Sequence, residues 1–235
     1  MKLDQHFMID RELCKRVVDA LEIKRSDTVL EIGGGGGALT REIAKKTENL
    51  TVIEIDAELC RLLRKSFPSV HVLHQNALMG EMFSADKIIG NLPYSICEPF
   101  MKKLLKSKFK RAVLTVPKSF LYDGLLRKIM PLFFRIKTLE FIPSASFSPQ
   151  PKTESKVILI TPRTLKQKAQ LVKEVYLQSD KVLKNALREG FCRAYGLSRK
   201  DAMQQMPELS FLKKKVYTLK AEEWFALLEA LDIRG

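Results

Sequence analysis

Gly90-Asn91-Leu92-Pro93-Tyr94 brings an amide, a rigid proline and an aromatic ring together within five residues. That set suits a flat base carrying an exocyclic amine. The Asn91 side chain and the carbonyl of Leu92 or Pro93 can accept the two N–H bonds of such an amine. Tyr94 offers a face for stacking. The competing reading is a turn containing Asn and Pro beside a core tyrosine, and on these residues alone it is the commoner outcome. Position weighs against it. Lys87-Ile88-Ile89 reads as a short buried strand whose end is marked by the Gly and Pro that follow. Asn91 therefore falls at a carboxyl edge, where open α/β sheets bind ligands.

A second group of residues could hold a cofactor. Glu31-Ile32 is followed by five glycines, residues 33–37, and by Ala38, between a strand and a helix. Such a turn lets backbone come close to a ligand. Gly33, Gly35 and Ala38 satisfy the pattern G-x-G-x-x-G/A, and Glu54 lies about 20 residues on, where a carboxylate accepts ribose hydroxyls. The spacing fits a nicotinamide dinucleotide and S-adenosylmethionine equally, because both present an adenosine ribose there. A nicotinamide dehydrogenase lacks support in one respect: no acid–base set for hydride transfer stands at the later strand ends.

These residues need a sheet to position them. Strands are expected at 28–32, 50–55, 70–73, 87–89 and 111–116, with helices at 10–23, 38–46, 57–66, 96–106 and 118–130, the last ended by Pro131. Alternation of this kind makes a doubly wound α/β sheet. Two late strands, 134–142 and 156–161, have no clear helix between them and suit an antiparallel, hairpin-like pair at the sheet edge. Beyond Pro162 the pattern is wholly helical, with one long amphipathic helix carrying Leu171, Val175, Val182, Leu183, Ala186 and Leu187. The division expected is a catalytic domain over residues 1–163 and a small helical domain over 164–235.

Composition narrows the partners. The chain has 235 residues, 41 Lys and Arg against 27 Asp and Glu, and a net charge of +14. A polyanion is indicated, nucleic acid before membrane. Residues 164–235 hold 14 basic and 9 acidic side chains, so the excess is spread over both parts. Cys14, Cys60, Cys97 and Cys192 form no C-x-x-C pair, which argues against a disulfide framework or zinc site and fits a reducing cytoplasm. His71 and His74, three apart in a strand, face opposite sides and read as structural, so no metal is expected. No apolar run approaches the ~20 residues of a membrane span, and the N-terminus has no signal-peptide core.

Taken in order, Gln5-His6-Phe7, the Glu31–Thr40 glycine turn, Glu54-Ile55-Asp56, Asn91-Leu92-Pro93-Tyr94 and Phe147-x-Pro149-x-Pro151-Lys152-x-x-Ser155 resemble the small-subunit ribosomal RNA adenine dimethyltransferases. The likeness runs from residue 2 to about 163 and is specific as a set; the helical tail is only loosely similar. It implies a Rossmann-like methyltransferase using S-adenosylmethionine to dimethylate N6 of two adjacent adenines near the 3′ end of small-subunit rRNA. It further implies a monomer at work on a pre-ribosomal small subunit. Cofactor contacts are implied at His6, Met8, Gly33, Gly35, Glu54, Asn76 and Asn91, and closure of the far face of the target base at Phe147. Three departures stand out. Asn76 takes the place of an Asp, Asp4 that of a Gly, and the stretch between Val116 and Phe134 is short, with Pro117-Lys118-Ser119 where Gln-Lys-Glu is usual.

Lys181, Lys184 and Arg188, at i, i+3 and i+7, would share one helix face and could grip rRNA phosphates. A solvated face is the commoner explanation of such a triplet. Two other functions compete with the small-subunit enzyme. One is the related large-subunit rRNA methyltransferase. The other is a ribosome-assembly or RNA-binding factor that kept the fold and lost turnover, a reading the shortened stretch and Asn76 favour and the intact 91–94 motif opposes.

Overall fold

The computed structural model describes residues 5–80 and 82–233; Asp4 lies outside the described residues. The apolar runs form a seven-stranded sheet. Its members are β2 (Val29–Ile32), β3 (Leu50–Glu54), β4 (His71–His74), β5 (Lys87–Asn91), β6 (Arg111–Pro117), β7 (Phe134–Ile142) and β9 (Ser155–Pro162). The order across the sheet is β4-β3-β2-β5-β6-β9-β7. The β2–β6 core is parallel, whereas β9 runs antiparallel to β6. From β2 the chain winds outward through β3 and β4, then returns to β2's other side as β5. The order therefore reverses between β2 and β5, and the crevice of a doubly wound sheet lies there.

Helices α1 (Arg11–Asp19), α2 (Ala38–Ala44), α3 (Ala57–Ser66) and α4 (Cys97–Lys106) accompany this sheet. Asp10 caps α1 by accepting from Leu13 N–H, and Asp56 caps α3 by accepting from Glu58 and Leu59 N–H. Val18, Ile43, Val52, Ile89 and Val113 are completely buried in the core between these layers. The first helix stops four residues before the expected end because the chain turns there, Glu22 taking a φ of +52°.

Two-residue strands tie the N-terminal arm to the body. β1 (Phe7–Met8) pairs antiparallel with β8 (Phe147–Ser148), and Ile9 N–H donates to Ser146 O.

The chain divides into two compact units. The first runs to Phe120 and takes in Arg135–Pro162; the second comprises Leu121–Phe134 and the chain from Arg163 on. The second unit holds α5 (Gly124–Phe133), α6 (Gln167–Leu177), α7 (Leu183–Tyr195), α8 (Arg199–Gln204) and α9 (Ala221–Ala230). Two helical expectations need correction. The stretch 118–123 is a turn, not helix, and α5 runs through Pro131 instead of ending before it. Proline this near a helix end removes one backbone bond and leaves the next, Phe134 N–H to Met130 O, intact. The long helix after residue 167 is two helices. Leu183 and Lys184 N–H donate to Lys214 and Leu212 carbonyls, so the chain at 178–182 leaves helical pairing and restarts as α7. No described helix is long and apolar enough to cross a membrane.

Candidate active site

The glycine turn follows β2, Glu54 ends β3, Asn76 follows β4 and Asn91 ends β5, so all four stand at the sheet's carboxyl edge. Register brings the central pair together: Ile32 lies beside both Ile53 and Gly90. Gly90 has to be glycine for space. A Cβ there would stand 2.8 Å from the Ile32 carbonyl oxygen, backbone that cannot swing aside, and Asn91 would be displaced with it.

Asn91 is oriented by the N-terminal arm. Its Nδ2 donates to the His6 carbonyl at 2.6 Å. A planar amide held by its nitrogen presents Oδ1 on the other side as an acceptor. Leu92 N–H donates to Thr115 O at 3.1 Å and fixes the backbone that follows. The Pro93 carbonyl already accepts from Ile96 N–H at 3.0 Å. Of the two carbonyls considered for the amine's second hydrogen, Pro93's is thus already engaged.

Tyr94 is fixed by its hydroxyl, which lies 2.7 Å from Ser155 Oγ and donates to Thr153 O at 3.3 Å. The His6 ring stands beside it, centroids 5.9 Å apart, and His6 Nδ1 is 2.7 Å from Pro149 O. Three segments far apart in sequence thus meet at one place: the arm, the 91–94 turn and residues 147–155. The sequence reading overlooked Ser155 and Thr153 as partners of Tyr94; the recurrence of Ser155 in the Phe-x-Pro motif was the available signal.

Glu54 is buried and organises the cofactor side. Its Oε2 accepts from Gly35 N–H at 2.9 Å, and Oε1 from Ile55 and Asp56 N–H at 2.8 and 3.0 Å. Oε1 is saturated; Oε2 keeps a lone pair for a ribose hydroxyl. Gly33 and Gly35 have φ of +75° and +52°, and a Cβ on Gly35 would meet the Phe7 ring at 2.9 Å. Ile55, 43% exposed beside Glu54, is apolar surface on which a purine can rest, and was also missed. Asn76 Oδ1 accepts from Leu78 N–H at 2.9 Å and has a second lone pair for an adenine amine. One Glu31 oxygen, Oε1, is buried without a hydrogen-bond partner, on the strand that leads into the glycine turn. These donors and acceptors fit S-adenosylmethionine.

Three expected contacts lie elsewhere. Phe147 is 2% exposed and packs in the core with Leu13, Val17 and Met8, so its ring has no open face for a base. The aromatic closes the core because its strand partner Met8 draws it inward. Met8 is itself 5% exposed and holds the arm down by packing, while His6, two residues earlier, reaches Asn91 through its carbonyl. Lys181 precedes α7 and is ion-paired with Glu189, so the triplet does not form one helix face; only Lys184 and Arg188 lie on α7.

Burial pushes the Glu31 carboxyl up to about 8, a hydroxyl bond from Thr40 opposing the shift and the Glu54 charge adding to it. The folded chain therefore keeps a proton that the unfolded chain releases near its ordinary value of 4.5. Between those values the folded state binds more protons, and stability falls as pH rises. Glu31→Gln removes the titration and keeps an acceptor for Thr40. Denaturant unfolding should show the variant gaining on wild type from about pH 5 to about pH 8, by a few kcal/mol at ~1.4 kcal/mol per unit. A difference independent of pH contradicts this.

Residues 1–218 match the sequence profile of the family described as Ribosomal RNA adenine dimethylase. A probable ribosomal RNA small subunit methyltransferase A of Pyrococcus furiosus is 30% identical over 254 residues, covering 100% of this chain and 92% of that protein. A protein of the same description from Methanosarcina mazei is 31% identical, covering 94% and 88%. Among solved structures, a dimethyladenosine transferase from Plasmodium falciparum superposes with a TM-score of 0.63 at 20% identity, over 97% and 99% of the two chains. The 23S rRNA methyltransferase ErmE gives 0.63 at 21%, over 96% and 99%. At those identities the structural likeness establishes the fold.

Proposed function

This chain belongs to the ribosomal RNA adenine dimethylase family of S-adenosylmethionine-dependent methyltransferases, and we propose that it dimethylates N6 of two adjacent adenines near the 3′ end of small-subunit rRNA. The relatives that bear the name of small-subunit methyltransferases support that subunit over the large one. The observation that carries the reading is the pinned amide: Asn91, three residues before Tyr94, donates from Nδ2 to the His6 carbonyl, and the Tyr94 hydroxyl is held by Ser155.

S-adenosylmethionine supplies a methyl group already activated on a sulfonium sulfur. The chain's residues have the remaining task, placing a weak nucleophile in line with it, and positioning of that kind can supply much of the rate. An adenine must leave its stack to enter, and Tyr94 gives it a face. Asn91 Oδ1 and the Leu92 carbonyl accept the amine's hydrogens, which frees the nitrogen lone pair from the ring and stabilises the charge that develops on nitrogen. A neutral amide suffices for this. After one transfer N6 keeps one hydrogen, so a second is chemically open.

The basic surface gives the RNA its grip. In the first unit Arg11, Lys15 and Arg41 line a cleft of about 400 Å³ that reaches Met8 and Gly36, beside Glu12 and the Lys45–Glu42 ion pair. In the second unit Arg188 and Arg199 line another depression, where Arg193 is held by Glu174 and Glu189, with Lys184 on the same helix as Arg188. We place the protein in the cytoplasm as a monomer bound to pre-ribosomal small subunits, a reducing setting that suits its four free cysteines.

Incubation with labelled S-adenosylmethionine and unmethylated ribosomal subunits tests the assignment. Label should enter small-subunit rRNA. Label in the large subunit alone, or binding of small subunits without any transfer, would overturn it.

A further inference from the structure

Phe141 is 60% exposed although it lies within a strand of the sheet. It belongs to a stripe. Alternation along β7 puts Arg135, Lys137, Leu139 and Phe141 on one face, and all four are exposed. On the opposite face Phe134 and Ile142 are buried, and Glu140 is ion-paired with Arg16 at 3.2 Å. Within the first unit no helix joins β6 to β7, because α5 belongs to the second.

A run of contacts connects this ring to the site. Lys118 Nζ lies 5.6 Å from the Phe141 ring centroid. Lys118 also bonds Glu154 twice, N–H to its carbonyl at 2.9 Å and Nζ to its carboxylate at 2.7 Å. The residues on either side of Glu154 are Thr153 and Ser155, which hold the Tyr94 hydroxyl.

We propose that Phe141 is a stacking platform for the unpaired rRNA strand next to the target adenine, with Lys137 and Arg135 taking the phosphates that follow. The inference rests on the methyltransferase reading and gives its site a second base contact. An exposed ring stacks with any base whose face is free, and cations along the same strand face neutralise the backbone. Lys118 is charge-matched by Glu154, so it steadies the ring rather than the RNA. A duplex hides its base faces, so the platform prefers unpaired RNA. A second copy of the chain or a protein partner covering the same face would show no such preference.

The test uses the full chain with unmethylated small subunits at saturating S-adenosylmethionine, alongside titration of labelled single-stranded and duplex oligoribonucleotides. Phe141→Leu keeps an apolar side chain on an open strand face. It should raise KM about tenfold and weaken single-strand binding by a similar factor, with kcat and duplex binding little changed. Phe141→Tyr should restore both. Wild-type KM in Phe141→Leu overturns the proposal, as does an equal loss in Phe141→Leu and Phe141→Tyr. If wild type transfers no methyl group, the reaction assignment fails, and the titration alone decides: single-strand binding unaffected by Phe141→Leu overturns the platform, and selective weakening upholds it.

Discussion

Asn91→Ala should slow methyl transfer about 10²–10³-fold at saturating S-adenosylmethionine, the usual effect of losing one preorganised group that acts on developing charge. The structure explains why the effect should fall on rate. Nδ2 is committed to the His6 carbonyl, so Oδ1 is held in place before substrate arrives and reorganises nothing when charge develops. Asn91 is only partly buried, and the ladder bond from Leu92 N–H is backbone, so the fold should survive. Asn91→Asp supplies a control. It keeps an acceptor but loses the donor and sets a carboxylate against the His6 carbonyl. It should therefore lose orientation, with a rate between alanine and wild type. Single-turnover methylation of small subunits reads all three. Equal rates for wild type and Asn91→Ala would remove the chemistry from this residue.

The next largest effect is expected at Glu54. A ribose hydroxyl on a carboxylate contributes roughly 1.5–3 kcal/mol, and Glu54→Ala removes it. The structure adds a further loss. The same carboxylate accepts three backbone N–H groups, and the bond from Gly35 is fully buried. Leaving that donor unsatisfied costs about 1–3 kcal/mol more and loosens the glycine turn itself. Glu54→Gln distinguishes the two parts. Its amide has one acceptor oxygen and a nitrogen that cannot accept, so it satisfies either Gly35 or the Ile55–Asp56 pair and has less to offer a ribose. Calorimetry should show S-adenosylmethionine affinity lost in both variants, while thermal unfolding should place the glutamine variant nearer wild type. Undiminished affinity in Glu54→Ala would mean that the ribose lies elsewhere.

The sheet was legible because its strands are apolar runs bounded by glycine, proline and turn residues. The candidate catalytic and cofactor stretches stood out because a run of glycines and an Asn two residues before a Pro, both at strand ends, have few other uses. What escaped the sequence was long-range. Phe7–Met8 and Phe147–Ser148 pair over two residues each, too short for periodicity, yet this pairing carries His6 to Asn91 and draws Phe147 into the core. An aromatic in a recognisable motif does not reveal which way its ring turns. The break before α7 escaped for another reason. Val182 and Leu183 keep the helical apolar spacing across it, while the bonds that interrupt the helix come from residues 212–214. The triplet at 181, 184 and 188 had assumed that helix continued.

If the pinned amide and its neighbours hold adenine N6 for two methyl transfers, the product nucleoside will show it. Small-subunit rRNA methylated by the wild-type chain should be digested to nucleosides and resolved by mass spectrometry, with the modified positions mapped. N6,N6-dimethyladenosine is expected at two adjacent positions near the 3′ end, and should be lost with Asn91→Ala. Methyl groups on ribose, on a pyrimidine or on a ring nitrogen of adenine would contradict it.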